Sequence, residues 1–204
     1  MTDPASPQPF PWGEAFGGYL ETIGDRTASY RAARAITGGE RVLYPGSYLD
    51  AAPLSVWPEV TFVDSDRTFA TAVSALPTTP TGARFVVADY REPLAEVANG
   101  WADVLISLYA GPVTRYFTRY LADGAYLLAN NSHGDASLAL LDPRYELVAV
   151  QPTWASMQYR TGNLDSFARA RKPETFTVDQ VLASGRGVAF ERPAACYLFR
   201  RVGR

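Results

Sequence analysis

Residues that build many functional sites are scarce in this chain. Among 204 residues there is one cysteine, Cys196, and one histidine, His133. A lone cysteine excludes an internal disulfide framework and a multi-cysteine zinc site. Its place in the apolar run "AACYLF" reads as a buried thiol. With one histidine and scattered carboxylates such as Asp64, Asp66 and Asp135, no metal site is expected. No stretch approaches the roughly 20 apolar residues of a membrane span. The start, "MTDPASPQPFPWGEAF", has no basic segment followed by an apolar run, so no secretory signal is read there. A cytoplasmic protein without a membrane partner is the expectation. A net charge of −2 argues against a nucleic-acid binder that works by neutralising phosphates. G-x-G-x-x-G and G-x-x-x-x-G-K-[ST] are both absent, which weighs against a nicotinamide dehydrogenase and a nucleoside-triphosphate site.

What is present belongs to a globular domain: 47% of residues are apolar and 20% charged. The charge is uneven, with 9 basic and 16 acidic residues over 1–143 and 10 basic and 5 acidic over 144–204. The basic part is either a solvated face or an attractor for an anionic substrate or partner. Residues 1–24 read as an arm or lid, proline-rich at first and then aromatic through Phe10, Trp12, Phe16 and Tyr19. Residues 25–204 read as one domain.

Within that domain, apolar runs alternate with helical spacing. Strands are predicted at 41–45, 59–64, 83–89, 102–110, 125–131 and 145–151. "GVAFE" and "AACYLFRRV" follow as two adjacent strand-like runs. Helices are predicted in "DRTASYRAARAITGG", "DRTFATAVSAL" and "SLALLDP", and in "VTRYFTRYLADG" with a stop at Gly124. "FTVDQVLASG" adds one with a Thr177/Gln180 capping box. The alternation implies an α/β fold: a doubly wound, mainly parallel sheet with helices on both faces and an antiparallel C-terminal edge strand.

Ligands in such sheets bind beyond the carboxyl ends of the strands. At the first end stand Tyr44, Pro45, Gly46, Ser47, Tyr48 and Asp50; at the second, Asp64, Ser65 and Asp66; at the third, Asp89 and Tyr90. The fourth ends in Tyr109-Ala110-Gly111, and the fifth in Asn130-Asn131-Ser132-His133. A carboxylate 18 residues after Gly46 suits the two hydroxyls of a ribose, since both can donate to it. Asp89 suits an exocyclic amine. The plainer readings are a helix cap for Asp64 and a turn former for Asp89.

On "VLYPGSYLD", "VTFVDSD", "FVVADYREPL", "ADVLISLYA" and the final "ACYLFRR", the chain resembles the class I S-adenosylmethionine-dependent methyltransferases over about residues 25–204. The resemblance implies S-adenosylmethionine as cofactor. Tyr44, Gly46 and Ser47 would lie along its amino-acid part and ribose, Asp64 and Ser65 at the ribose hydroxyls, and Asp89 and Tyr90 at the adenine. The family's first turn is an acid followed by G-x-G-x-G; here one glycine remains, and Tyr48 stands where a second is usual. An acceptor-side set of His133 as base, with Tyr109 and Asn131 to orient a small-molecule acceptor, completes the expectation. An exposed loop histidine and a turn-forming asparagine are the bland alternatives. The N-P-P-Y-type tetrad of exocyclic-amine methyltransferases is missing after the fourth strand, so oxygen or nitrogen of a small molecule is the expected acceptor. Two other readings stay open: a non-catalytic scaffold of the same fold, and sulfonium chemistry other than methyl transfer.

Overall fold

A computed structural model describes residues 13–203, apart from the Thr175 side chain. Seven strands form one sheet: β1 (Arg41–Pro45), β2 (Glu59–Asp64), β3 (Ala83–Val87), β4 (Ala102–Ser107), β5 (Leu121–Ala129), β6 (Tyr145–Gln151) and β7 (Cys196–Arg201). Their order is β3-β2-β1-β4-β5-β7-β6. The first five run parallel, and β7 pairs antiparallel with both β5 and β6. The helices are α1 (Glu14–Ile23), α2 (Thr27–Thr37), α3 (Arg67–Ser74), α4 (Val113–Phe117), α5 (Asp135–Leu141), α6 (Asp165–Ala168) and α7 (Val178–Ser184).

Strand periodicity divides the core in two. Val42, Tyr44, Val60, Phe62, Val104 and Ile106 face one side, under Phe16 and Leu20 of α1, Tyr30 and Ala33 of α2, and Phe69 of α3. Leu43, Val63, Leu105, Leu127 and Phe199 face the other, under Val113 and Phe117 of α4, Ala136 and Ala139 of α5, and Phe167 of α6. Helices thus cover both faces of a mostly parallel sheet, as the alternation implied. The crossovers flanking β2 and β3 are lean. The β1–β2 link holds only a 3-10 turn, Ala52–Ser55, beside the buried Trp57 that packs edge-on to Tyr30. The β3–β4 link, residues 88–101, has no helix and is closed by Leu94 and Val97.

Three expectations are refined. The antiparallel C-terminal strand lies one place in from the edge, because β7 inserts between β5 and β6 and leaves β6 outermost. "GVAFE" contributes a single bridge, Ala170 to Phe190, because β7 already has both its neighbours. The helix read through Gly124 ends as α4 plus a 3-10 turn, Thr118–Tyr120, and β5 begins at Leu121. The β4–β5 register shifts from Ala102↔Leu121 to Val104↔Tyr126, and Gly124, at φ 79°, lies in that irregular stretch. Phe10 and Trp12 lie outside the described residues. Phe16 and Tyr19 sit on α1, where Phe16 is buried against Phe85 of β3.

Candidate functional site at the strand ends

β1 delivers a tight corner. Gly46 has φ 66°, and its N–H donates to Val63 O at 2.7 Å, tying the corner to β2. A Cβ on Gly46 would stand 2.2 Å from the Cβ of Ala110. The missing side chain is therefore explained by close approach of the β4 end. Ser47 is buried. Tyr48 takes φ 47°, so the corner has left-handed backbone at two positions, the second without a glycine. Its ring leaves the corner and meets Tyr19 of α1 edge-on at 4.9 Å.

Asp64 points at this corner. Its Oδ2 accepts from the Tyr48 N–H at 2.7 Å and its Oδ1 from the Asp66 N–H at 2.9 Å. The cap of α3 is Asp66, through Thr68 N at 2.7 Å, so the helix-cap alternative belongs two residues along from Asp64. Ser65, between them, is exposed.

Asp89 and Tyr90 diverge. Both Asp89 oxygens accept from Arg91, down to 2.5 Å, and this pairing lowers its pKa to about 2. The Tyr90 ring instead turns inward: Cε1 would lie 3.6 Å from a Cβ on Gly46. Its hydroxyl donates to Gly111 O at 3.2 Å. Gly46, Asp64, Tyr90 and the Ala110-Gly111 turn therefore converge, while the Asp89 carboxylate is held by its neighbour in the chain.

Across β4 and β5, Tyr109 is in the left-handed region at φ 58° and is 48% exposed. Asn130 binds the two ends together, its Oδ1 accepting from Tyr109 N at 3.3 Å and from the Ser132 hydroxyl at 2.8 Å. His133 is exposed beside Gly111, with Nδ1 3.0 Å from the Ser132 hydroxyl. Asn131 has both amide atoms engaged: Nδ2 donates to Val188 O, and Oδ1 accepts from the N–H and hydroxyl of Ser137. Asp135 is buried and accepts from Ser107 Oγ, Val113 N, Thr114 N and Thr114 Oγ1 between 2.5 and 3.0 Å. Burial raises its pKa, and those four donors oppose the rise.

A second cluster stands beside the corner, built on Asp50 of the first strand end with Arg26 and Tyr30, which the sequence did not connect to it. Asp50 is buried, and its Oδ2 accepts from Tyr30 OH at 2.6 Å, Tyr44 OH at 3.2 Å and Arg26 Nη1 at 3.4 Å. Burial raises its pKa, opposed by the Tyr30 bond and then by the Arg26 charge. The carboxylate is thus delivered to the tip of Tyr44, which occupies the strand position where the resembled family has its acid. The Arg26 guanidinium lies 4.9 Å from the ring centres of both Tyr109 and Trp154, and Trp154 Nε1 donates to Tyr109 OH at 3.1 Å. The alanine-rich α2 disclosed a helix. Nothing in its spacing disclosed that the residue before it reaches the β4 end.

Asp64 fits the ribose of the implied cofactor. A carboxylate has about four acceptor positions, and Asp64 uses two on backbone N–H groups. Acceptor capacity therefore remains for ribose hydroxyls. Among the described residues, no three His, Cys, Asp or Glu side chains gather to hold a metal ion, and no helix is long and apolar enough to cross a membrane.

No protein-family model and no curated protein matches the chain. Solved structures do resemble it in fold. A methyltransferase from Geobacter sulfurreducens superposes with a TM-score of 0.52 over 95% of this chain and 93% of its own, at 15% identity. The plantazolicin methyltransferase BpumL, solved with SAH, gives 0.50 over 93% of this chain and 89% of its own, at 10% identity. The chain has the fold of the class I S-adenosylmethionine-dependent methyltransferases.

Proposed function

From that fold, we propose that the chain binds S-adenosylmethionine at the β1 corner and catalyses methyl transfer to an oxygen or nitrogen atom of a small molecule. One observation carries the reading: the 2.7 Å bond from Tyr48 N to Asp64 Oδ2 joins the turn after β1 to the acid after β2. The two elements a nucleoside needs are thereby held in one place. Asp64 with Ser65 would hold the ribose, Tyr90 and Asp89 would border the adenine, and Tyr44, Gly46 and Ser47 would flank the amino-acid part. Bound there, the cofactor supplies a sulfonium methyl group open to in-line displacement.

The chain's own contribution is orientation and proton handling. Tyr109, exposed at the β4 end, meets the acceptor. His133, with Nδ1 beside the Ser132 hydroxyl, keeps Nε2 for the proton an acceptor releases. Asn131 serves by holding the loop that carries His133, through Val188 and Ser137. Of the predicted arm, the described residues 13–24 cover the corner; the Tyr19–Tyr48 contact supports this.

A second reading, a binding protein that has lost the cofactor, is favoured by two details. Ala110 occupies the space a glycine corner would offer, and Arg91 occupies Asp89. Calorimetry with S-adenosylmethionine and S-adenosylhomocysteine decides between them. Methyl transfer requires binding of both ligands that Asp64→Ala abolishes. Absence of heat and of thermal shift at millimolar ligand selects the binding protein.

A further inference from the structure

Beside the corner, hydrogen-bond donors outnumber acceptors. Arg26 is 11% exposed and sits over Tyr109 and Trp154. Its bond to Asp50 is the third and longest on that oxygen, after those of Tyr30 and Tyr44. The Asp50 charge is thus shared among the two phenolic protons, Arg26 and the Ala52 N–H at 3.3 Å. A guanidinium has five N–H donors, and among the described residues Arg26 donates one of them. Tyr109 OH accepts from Trp154 Nε1 and keeps its own proton to give. The hydroxyls of Tyr19 and Tyr48 make no hydrogen bond among the described residues, and their rings meet at 4.9 Å. Arg26 lies 4.9 Å from the Tyr109 ring centre, and the Tyr19–Tyr48 pair stands on the corner beside it.

Such a set complements a ligand that offers acceptor oxygens and negative charge, and guanidinium is the side chain best shaped for a carboxylate. The Tyr109 and Trp154 rings stack 6.4 Å apart with Arg26 over both, and Tyr109, 48% exposed, keeps surface for a ligand ring. We propose that this cluster recognises the carboxylate of an aromatic acid, and that a hydroxyl or amino group on the ring of such an acid is the methyl acceptor: its oxygen or nitrogen would form the bond to the methyl carbon as the methyl–sulfonium bond breaks, the thioether would leave, and the released proton would pass to His133. The inference rests on the methyl-transfer reading and names its substrate class. The second source of a carboxylate is the amino-acid end of the cofactor, and the test separates the two.

The full chain, without cofactor, is titrated with benzoate, benzamide and L-methionine by calorimetry and ligand-observed NMR. Benzoate is expected to bind at least about tenfold more tightly than neutral benzamide, the difference of one charge-assisted bond. Arg26→Gln is expected to lose roughly tenfold or more, and Tyr109→Phe to lose severalfold. The exposed Arg169→Gln serves as the unaffected control. Because Arg26→Gln leaves Asp50 without its cation, Tyr109→Phe carries the test if that variant does not fold. Equal binding of benzoate and benzamide overturns the proposal, as does benzoate binding unchanged in the folded variants. So does Arg26-dependent binding of L-methionine in place of benzoate, which assigns the carboxylate to the cofactor. Parallel titration with S-adenosylmethionine keeps the readings apart. Loss of cofactor binding with benzoate still bound removes the methyl-transfer reading alone, and the site stands.

Discussion

Gly46→Ala tests why this corner holds a glycine. Two costs are separable. The left-handed backbone at φ 66° disfavours a Cβ by about 1–2 kcal/mol. Contact at 2.2 Å with the Ala110 Cβ, far inside normal packing, adds an overpacking cost of about 1–3 kcal/mol. The variant should lose about 2–5 kcal/mol, a Tm fall of about 4–20 °C for a chain of this size. In an Ala110→Gly background the nearest atoms become Tyr90 Cε1 at 3.6 Å and the residue-110 Cα at 3.7 Å, both ordinary contacts. Only the backbone cost of about 1–2 kcal/mol should then remain. Urea unfolding of the four proteins gives the coupling energy, expected at about 1–3 kcal/mol in favour of the double variant. A coupling near zero refutes the claim that Ala110 dictates the glycine.

Other predictions use the buried groups. Asp135→Asn replaces an acceptor oxygen by an NH2 facing N–H or O–H donors and should destabilise by about 2–4 kcal/mol in chemical denaturation. Asp50 and Asp135 have pKa values raised by burial, so their contribution to stability is full below the ordinary carboxyl range and falls as pH rises through their folded values. Asp135→Asn should flatten that slope in urea titrations across acidic pH. Asp103, lowered by the Arg41 pair and backbone N–H groups against the opposing effect of burial, acts oppositely: its contribution holds above the ordinary range and is lost as pH falls. Cys196 is fully buried, with its thiol pKa pushed up by desolvation, so a thiol reagent should label it in urea and leave the native protein unlabelled. Thr177→Ala removes the acceptor for Gln180 N at the start of α7 and should cost about 1 kcal/mol by thermal melt.

The strands buried on both faces were the easiest part to read. β1 and β2 coincide with the apolar runs at 41–45 and 59–64, and the edge strand β6 also falls where it was predicted, at 145–151. α2, α3 and α7 also lie inside the predicted spans, α5 starts two residues before its span, and the Thr177 cap is where the capping box placed it. The junction from α4 to β5 was illegible because "VTRYFTRYLADG" has helical spacing, and only the shift in pairing with β4 draws its end into the sheet. Long-range contacts decide such cases against local preference. At the site, the ladder of strand ends was visible in order, and Asp64 does meet the β1 corner. Asp89 was read from its position alone, and its pairing with Arg91, two residues on, was open to inspection. Asp50 stood in view at the first strand end, but its partner did not: Arg26 lies 24 residues away, before α2, and only the fold brings the two together.

The place of β7 has a consequence for how the molecule is made. Among the described residues β6 has β7 as its only neighbour in the sheet, and β5 needs β7 to cover its far side. On a ribosome, both wait with bare edges until residues 196–201 emerge, so synthesis order and assembly order disagree here. A nascent chain stalled before Cys196 would present the β5 edge to any passing strand, the kind of exposure that seeds aggregation. Shortening this end should therefore impair recovery of native protein far more than removing an equal length from an ordinary surface tail.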